Sequence, residues 1–321
     1  MFPLNVAAAA GAGGIAWRIR SALTLTSSGF SGTAPAGWTW TNTAAGRYTF
    51  VHNADPVRSG IFFTDYSLNS AASLAQVIRT TGQSWSIYMT RIADSGLQNA
   101  QCWVHMIEPL DNSNTVQVAQ ITGTTGGFVG TRPTGWTMTR TGTGVYSLVI
   151  DGWVSADYQP QSGGNALFIA GVGGQALGFG SYVFASGASY RISTVRNSDN
   201  GPVDRNFYVC LLRGKVETIA GIFVNSTGVI SGANPRGMSV TKGATNSGIY
   251  TVTPQNTETM DPRTGKQLCY TYNTSATSPG GQTSQSIPGA SVQVVNTHRM
   301  SDSGPWDVPF MFQLIDNPNN A

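Results

Sequence analysis

The chain has 321 residues, of which 40% are hydrophobic and only 10% charged, against about 25% charged in ordinary globular domains. A net charge of +3 excludes a strongly basic nucleic-acid surface, and the scarcity of Lys and Glu excludes a coiled coil or a charge-laced helical bundle. With 39 glycines and abundant Thr, Ser, Val and Tyr, the composition points to an all-β, turn-rich protein.

Residues 1–14 read as an extended N-terminal arm, with Phe2, Leu4 and Val6 as its candidate docking side chains. No basic region precedes its apolar stretch, so a secretory leader is not expected. No run approaches the roughly 20 apolar residues of a membrane span. Next comes the local basic cluster Trp17-Arg18-Ile19-Arg20. Its plain reading is a strand edge with solvated arginines; its functional reading adds Trp17, Arg18 and Arg20 to the interaction candidates.

The sequence then repeats itself. Phe30-Ser-Gly32-Thr-Ala-Pro35-Ala-Gly37-Trp38 is followed by Gly46-Arg-Tyr48. The same pattern returns as Phe128, Gly130, Pro133, Gly135 and Trp136 with Gly144-Val-Tyr146, and as Ile230, Gly232, Pro235, Gly237 and Met238 with Gly248-Ile-Tyr250. Pro-x-Gly predicts a turn with a positive-φ glycine. The runs Trp38-Thr-Trp40-Thr and Trp136-Thr-Met138-Thr alternate with period two, and Gly-x-Tyr turns the chain into a second strand. Each copy therefore predicts a β-hairpin with its tyrosine in the core.

A second motif ends each copy: Arg91 to Gly96 with Asp94, Arg196 to Gly201 with Asp199, and Arg299 to Gly304 with Asp302. An apolar strand follows each, and the pair is expected to form a terminal hairpin. Both motifs keep a period of about one hundred residues, too long for a solenoid and right for a β-sandwich. The predicted organisation is an arm over 1–14 and three tandem antiparallel β-sandwich domains over 15–113, 114–215 and 216–321. The centres, Trp153 to Gly187 and Asn256 to Gly289, differ between copies and read as long surface loops. Asn69 to Arg79 is the one plausible short helix.

Chemistry is sparse. His52, His105 and His298 fall at different places in their repeats, and His105 reads as a core or interface residue. Cys102, Cys210 and Cys269 fit no metal or disulfide framework and read as small buried hydrophobes. Gly171-Val-Gly173-Gly-Gln-Ala176 matches a dinucleotide fingerprint, but no helix-like segment follows it. The loops at Asp94, Asp199 and Asp302 offer two or three side-chain ligands each, where calcium takes about six to eight oxygens; the preferred reading is an Asx turn, with calcium left open. No catalytic constellation emerges, so no enzymatic activity, cofactor or metal is expected. Trp153 and Tyr158, in a divergent centre, are the candidates for stacking on a sugar.

A charge-poor, Gly/Thr-rich chain with thrice-repeated Phe-x-Gly-x-x-Pro-x-Gly-Trp and Gly-x-Tyr hairpins resembles bacteriophage virion structural proteins built of tandem β-sandwich domains. That resemblance implies a non-enzymatic virion protein, assembled in the host cytoplasm, most simply a capsid decoration or cement component. Its partners would be the major capsid protein or other virion proteins, with no nucleic acid and no membrane. Its units would cover a surface as a pseudo-threefold unit or as a homo-oligomer such as a trimer. The alternative is a tail-fibre or receptor-binding protein that recognises host glycans through its divergent loops. The hairpins are turn and core chemistry, so the resemblance transfers no individual functional residue.

Overall fold

In the computed structural model of the chain, the described residues are 16–65, 73–81, 83–91, 96–112, 114–159, 164–172, 180–185, 187–196, 201–215, 219–254, 267–273, 281–286, 292–299 and 305–316. Among them lie 23 strands and one short 3-10 turn, Ser155–Tyr158. The fold is all-β, as the composition requires.

The first repeat supplies β1 (Trp17–Leu23), β2 (Thr39–Ala44), β3 (Arg47–Val51), β4 (Gly60–Asp65), β5 (Ser73–Thr81), β6 (Ser84–Arg91) and β7 (Cys102–Pro109). The second supplies β8 (Val116–Ile121), β9 (Phe128–Val129), β10 (Trp136–Gly142), β11 (Val145–Ile150), β12 (Asn165–Val172), β13 (Gly180–Ala185), β14 (Tyr190–Val195) and β15 (Phe207–Arg213). The third supplies β16 (Ile219–Val224), β17 (Ile230–Ser231), β18 (Ser239–Lys242), β19 (Ile249–Thr253), β20 (Gln267–Asn273), β21 (Gly281–Ser286), β22 (Gln293–Arg299) and β23 (Phe310–Asp316). Positions a to g are β1 to β7 in the first repeat and their equivalents in the others; β9 and β17 are short additions beside position a.

Each repeat forms two strand sets, ordered a-g-d and b-c-f-e. Their ladders are antiparallel. At the border between repeats the rule changes. Position e of one repeat pairs in parallel with position d of the next: Gly171 with Gln76 and Val172 with Val77 join β12 to β5, and Tyr182 with Asn273 joins β13 to β20. Cα atoms of β21 come within 8 Å of β4. The same edge-to-edge relation thus recurs, and the third repeat turns back onto the first.

Burial explains this arrangement. The b and c strands alternate: Trp136 is buried, Thr137 exposed, Thr139 exposed, and in β11 Tyr146, Leu148 and Ile150 are buried. One face meets the core and the other meets water. The g strands and β12 instead read as unbroken buried runs, such as Cys102 to Glu108, Phe207 to Leu212 and Asn165 to Gly171. They are covered on both faces. In the first repeat Ala22, Val104 and Met106 face that repeat's own core, with Trp38, Tyr48 and Phe50. Trp17, Ile19, Phe62 and Ile107 join a second cluster with Phe168 and Leu211 of the second repeat and Ile315 of the third.

The repeated glycines do what the motif predicted. Gly37 and Gly135 have φ of +79° and +78°, with Trp38 N–H on the Pro35 carbonyl at 3.1 Å and Trp136 N–H on Pro133 at 3.2 Å. The third copy shifts its turn by one residue, Gly237 N–H bonding the Asn234 carbonyl at 3.2 Å. There the Asn234 side chain takes over Met238, accepting its N–H at 2.8 Å and donating to its carbonyl at 2.7 Å.

Three expectations change. The segment assigned to a helix, Asn69 to Arg79, is strand β5 from Ser73 onward, paired with β6, and its residues 69–72 lie outside the described residues; non-local pairing overrides its Ala, Leu and Gln content. The divergent centres are not only loops, because they contain β12, β13, β20 and β21. The terminal hairpin does not exist: β6 and β7, β14 and β15, and β22 and β23 lie in different sheets.

Candidate interaction surfaces

The basic cluster at the start of β1 is organised by one carboxylate. Glu108 on β7 pairs in register with Arg18, and its side chain is only 8% exposed. Arg18 Nε donates to Glu108 Oε2 and Arg20 Nε to Oε1, both at 2.8 Å. Arg20 also donates to Asn53 Oδ1 at 2.8 Å and lies 5.3 Å from the centre of the Trp38 ring. Burial strengthens this network because a Glu108 left unpaired there would cost several kcal/mol, on the order of 3–5. Arg18 keeps 40% of its side chain exposed against 13% for Arg20, so Arg18 is the member that a partner can reach. Trp17 is buried, and its indole N–H donates to the Arg213 carbonyl of the second repeat at 3.2 Å. Phe2, Leu4 and Val6 lie outside the described residues.

The proposed sugar-stacking pair is already engaged. Tyr158 is fully buried; its hydroxyl accepts the Ile150 N–H at 2.7 Å and donates to the Ile150 carbonyl at 3.2 Å. Trp153 is half-buried, edge-on to Tyr158 at 5.1 Å, with the Arg213 guanidinium over its ring at 5.1 Å.

At the opposite end of each repeat sits a polar node built three times. Gly46, Gly144 and Gly248 donate their N–H groups to Asn99 Oδ1 at 2.7 Å, Asp204 Oδ1 at 2.8 Å and Asp307 Oδ1 at 3.0 Å. The core tyrosines reach the same place: Tyr48, Tyr146 and Tyr250 donate to the carbonyls of Thr26, Gly123 and Ser226 at 3.0, 2.8 and 3.1 Å. The acceptor's partner varies with it. Asn42 donates to Asn99 at 3.1 Å, Arg140 holds Asp204 through two bonds at 3.0 and 2.9 Å, and Lys242 lies 2.7 Å from Asp307. The Arg140 side chain holds the Asp204 carboxyl below the ordinary carboxylate range. For Asp307, burial pushes the carboxyl up, but Lys242 and the amides of Asn246 and Gly248 outweigh it and the net shift is downward.

Sequence reading missed this node. Its signal was present: Asn99, Asp204 and Asp307 each stand five residues beyond the repeated aspartate. The presence of asparagine at one of the three equivalent positions marks the shared role as a hydrogen-bond acceptor for a turn. Asp94, Asp199 and Asp302, where calcium was left open, lie outside the described residues, as do residues 173–176 of the glycine-rich segment.

Toward the centre of the molecule, position g carries one polar or soft residue on its inward face in each repeat: His105, Cys210 and Gln313. All three are buried. A methyl group on Gly60 would stand 2.2 Å from Cys210 Sγ, and Gln313 Nε2 donates to the Asn165 carbonyl at 3.0 Å. Phe62 stacks on Phe168 at 4.1 Å and on His105 at 4.4 Å. Cys102 and Cys210 are buried free thiols, and burial pushes the Cys210 thiol up. Among the described residues, no group of three or more His, Cys, Asp or Glu is placed to hold a metal ion.

Compared with known protein families, curated proteins and solved structures, the chain matches none.

Proposed function

We propose that the chain is a non-enzymatic virion structural protein, a decoration or cement component of the outer capsid shell, made of three β-sandwich units behind an N-terminal arm. One observation carries the reading: the contact of position e with the next position d recurs between repeats and returns from the third to the first. A single chain arranged this way presents three similar polar faces around an apolar centre. That geometry suits a local threefold position on a shell formed by the major capsid protein, with one chain doing the work of a trimer. Exposed threonines such as Thr39, Thr41, Thr137 and Thr139 supply uncharged hydrogen-bonding contacts, which salt screens little. β1 begins beside Glu108, which makes the Arg18 end of the molecule the proposed shell-facing side.

The test is co-sedimentation of the purified chain with empty shells that lack it. Binding at a fixed ratio to the capsid protein, lost when residues 2–15 are removed while the rest stays folded, is the expected result. Failure to bind shells, together with a hit on a glycan array, would replace this reading with the receptor-binding one.

A further inference from the structure

We propose that the seam between the third and first repeats is an acid-sensitive latch, closed by neutral His105 and released when that imidazole takes a proton. Two of the seams are visibly built on one plan. At the first, Cys210 of position g sits on Gly60, at the start of position d in the preceding repeat. At the second, Gln313 bonds the carbonyl of Asn165, again at the start of the preceding position d. Register makes His105, Cys210 and Gln313 equivalent, since each stands opposite the same step of position d: Phe62, Phe168 and Tyr270. Continuing the cycle aims His105 at the start of β20, residues Gln267 and Leu268. This is the seam that β21 completes by approaching β4.

The third seam differs from the others in two ways. The chain itself links the first repeat to the second and the second to the third, but only non-covalent contacts can hold the third to the first. It is also the seam whose inward residue can change charge near neutral pH. His105 lies 2.7 Å from Ser21 Oγ and flat against Phe62. Trp103 lies stacked beside it at 6.4 Å, and Ile107 and its partner Ile19 follow two residues along on the same face of the ladder. Glu108 alternates to the opposite face of the sheet, where it holds Arg18 and Arg20. The other titratable or charged residues on the packed elements are Asp65 at the end of β4, Cys102 on β7, Tyr208, Cys210 and Arg213 on β15, Cys269, Tyr270 and Tyr272 on β20, Asp316 on β23, and His298 and Arg299 on β22; β21 has none. Burial alone holds the His105 imidazole down at about 3.

The sign follows from that. An open seam lets His105 return toward its ordinary value of 6.5, so the open form binds a proton that the closed form refuses. Acidification below that value favours opening by about tenfold per pH unit until the closed-state value is approached.

Amide exchange on the full chain tests the latch. Between about pH 7 and about pH 5, protection of 60–65 and 281–286, corrected for intrinsic exchange, is expected to fall on the order of twentyfold. The outer strands over 39–44 and 47–51 should keep theirs. His105→Gln, which copies the third repeat's own residue at this position, should abolish the fall. The latch is overturned by seam protection that ignores pH, by a fall that survives His105→Gln, or by one that His298→Gln removes instead. If His105→Gln does not fold, a ring titration of the wild-type protein decides: His105 titrating near its ordinary value with the seam still protected refutes the latch, whereas protonation only as protection is lost supports it.

Discussion

The outer hairpins and the inner strands of this protein are made from the same repeat and obey different rules. In β10 and β11 a more buried residue alternates with a more exposed one at every step. In β7 and β15 almost no position is free of neighbours. A strand with one wet face needs apolar character only at alternate residues, so its sequence reports its orientation. A strand covered on both faces needs it everywhere, so its sequence reports burial but not what covers it. Here the covering on one face is the strand's own repeat and on the other a neighbouring repeat. The outer sheets therefore define the unit, and the inner strands define how units join.

The largest expected effect breaks that contrast at its centre. Phe62→Ala removes a buried ring that stacks on Phe168 at 4.1 Å and on His105 at 4.4 Å. The cavity should cost about 3–5 kcal/mol. Thr139→Ala on the exposed face of β10 should stay within about 0.5 kcal/mol. Thermal and urea unfolding of the two variants measure the difference; similar losses would show that the inner face is not the main source of stability.

The same contrast explains what could be read beforehand. Gly37, Gly46 and Tyr48, with their counterparts, were legible because turn geometry and alternation are local properties. The strand identity of β5 was not, because Ser73 to Thr81 has helix-compatible composition and is held as a strand by pairing with β6 and, across a repeat border, with β12. The d and e strands diverge in sequence for a related reason: each meets a different neighbour. The Trp17 to Arg20 cluster was visible, but its control was not, since Glu108 lies 90 residues from Arg18 along the chain. Tyr158 looked like a loop aromatic because a sequence does not show that its hydroxyl closes a pair of bonds with Ile150.

A sharper version of the comparison uses two glycines of one motif. Gly130 and Gly144 have φ of +81° and +63°. At Gly130 a new methyl group meets nothing within 4 Å, whereas at Gly144 it would stand 2.4 Å from the Thr194 carbonyl and 2.7 Å from the Val203 amide. Gly130→Ala should cost only the backbone strain, about 1 kcal/mol. Gly144→Ala adds a clash with two backbone segments that carry ladder and turn bonds, and should cost roughly 3 kcal/mol or more by the two mechanisms together. Equal costs in chemical denaturation would mean that the f–g segment moves freely away from the turn.

The smallest effect tests whether the polar nodes are interchangeable. The third repeat joins Gly248, Asp307 and Lys242, while the first makes the same connection with Gly46, Asn99 and Asn42. Lys242→Asn should cost about 0.5–1 kcal/mol, because Asp307 keeps its amide bonds but loses its cation. Adding Asp307→Asn recreates the neutral node and should recover part of that loss, a positive coupling of a few tenths of a kcal/mol in a double-mutant cycle. The acid side gives a cleaner signature. Asp307 is held below its ordinary value of 3.8, so its contribution is complete above that value and disappears as pH falls through the folded-state value. The double variant removes that contribution at this node while leaving the corresponding one at Asp204. A cycle with no coupling, and with acid dependence unchanged by the double substitution, would show that the turn is held by Gly248 and Tyr250 alone and that the charges only decorate it.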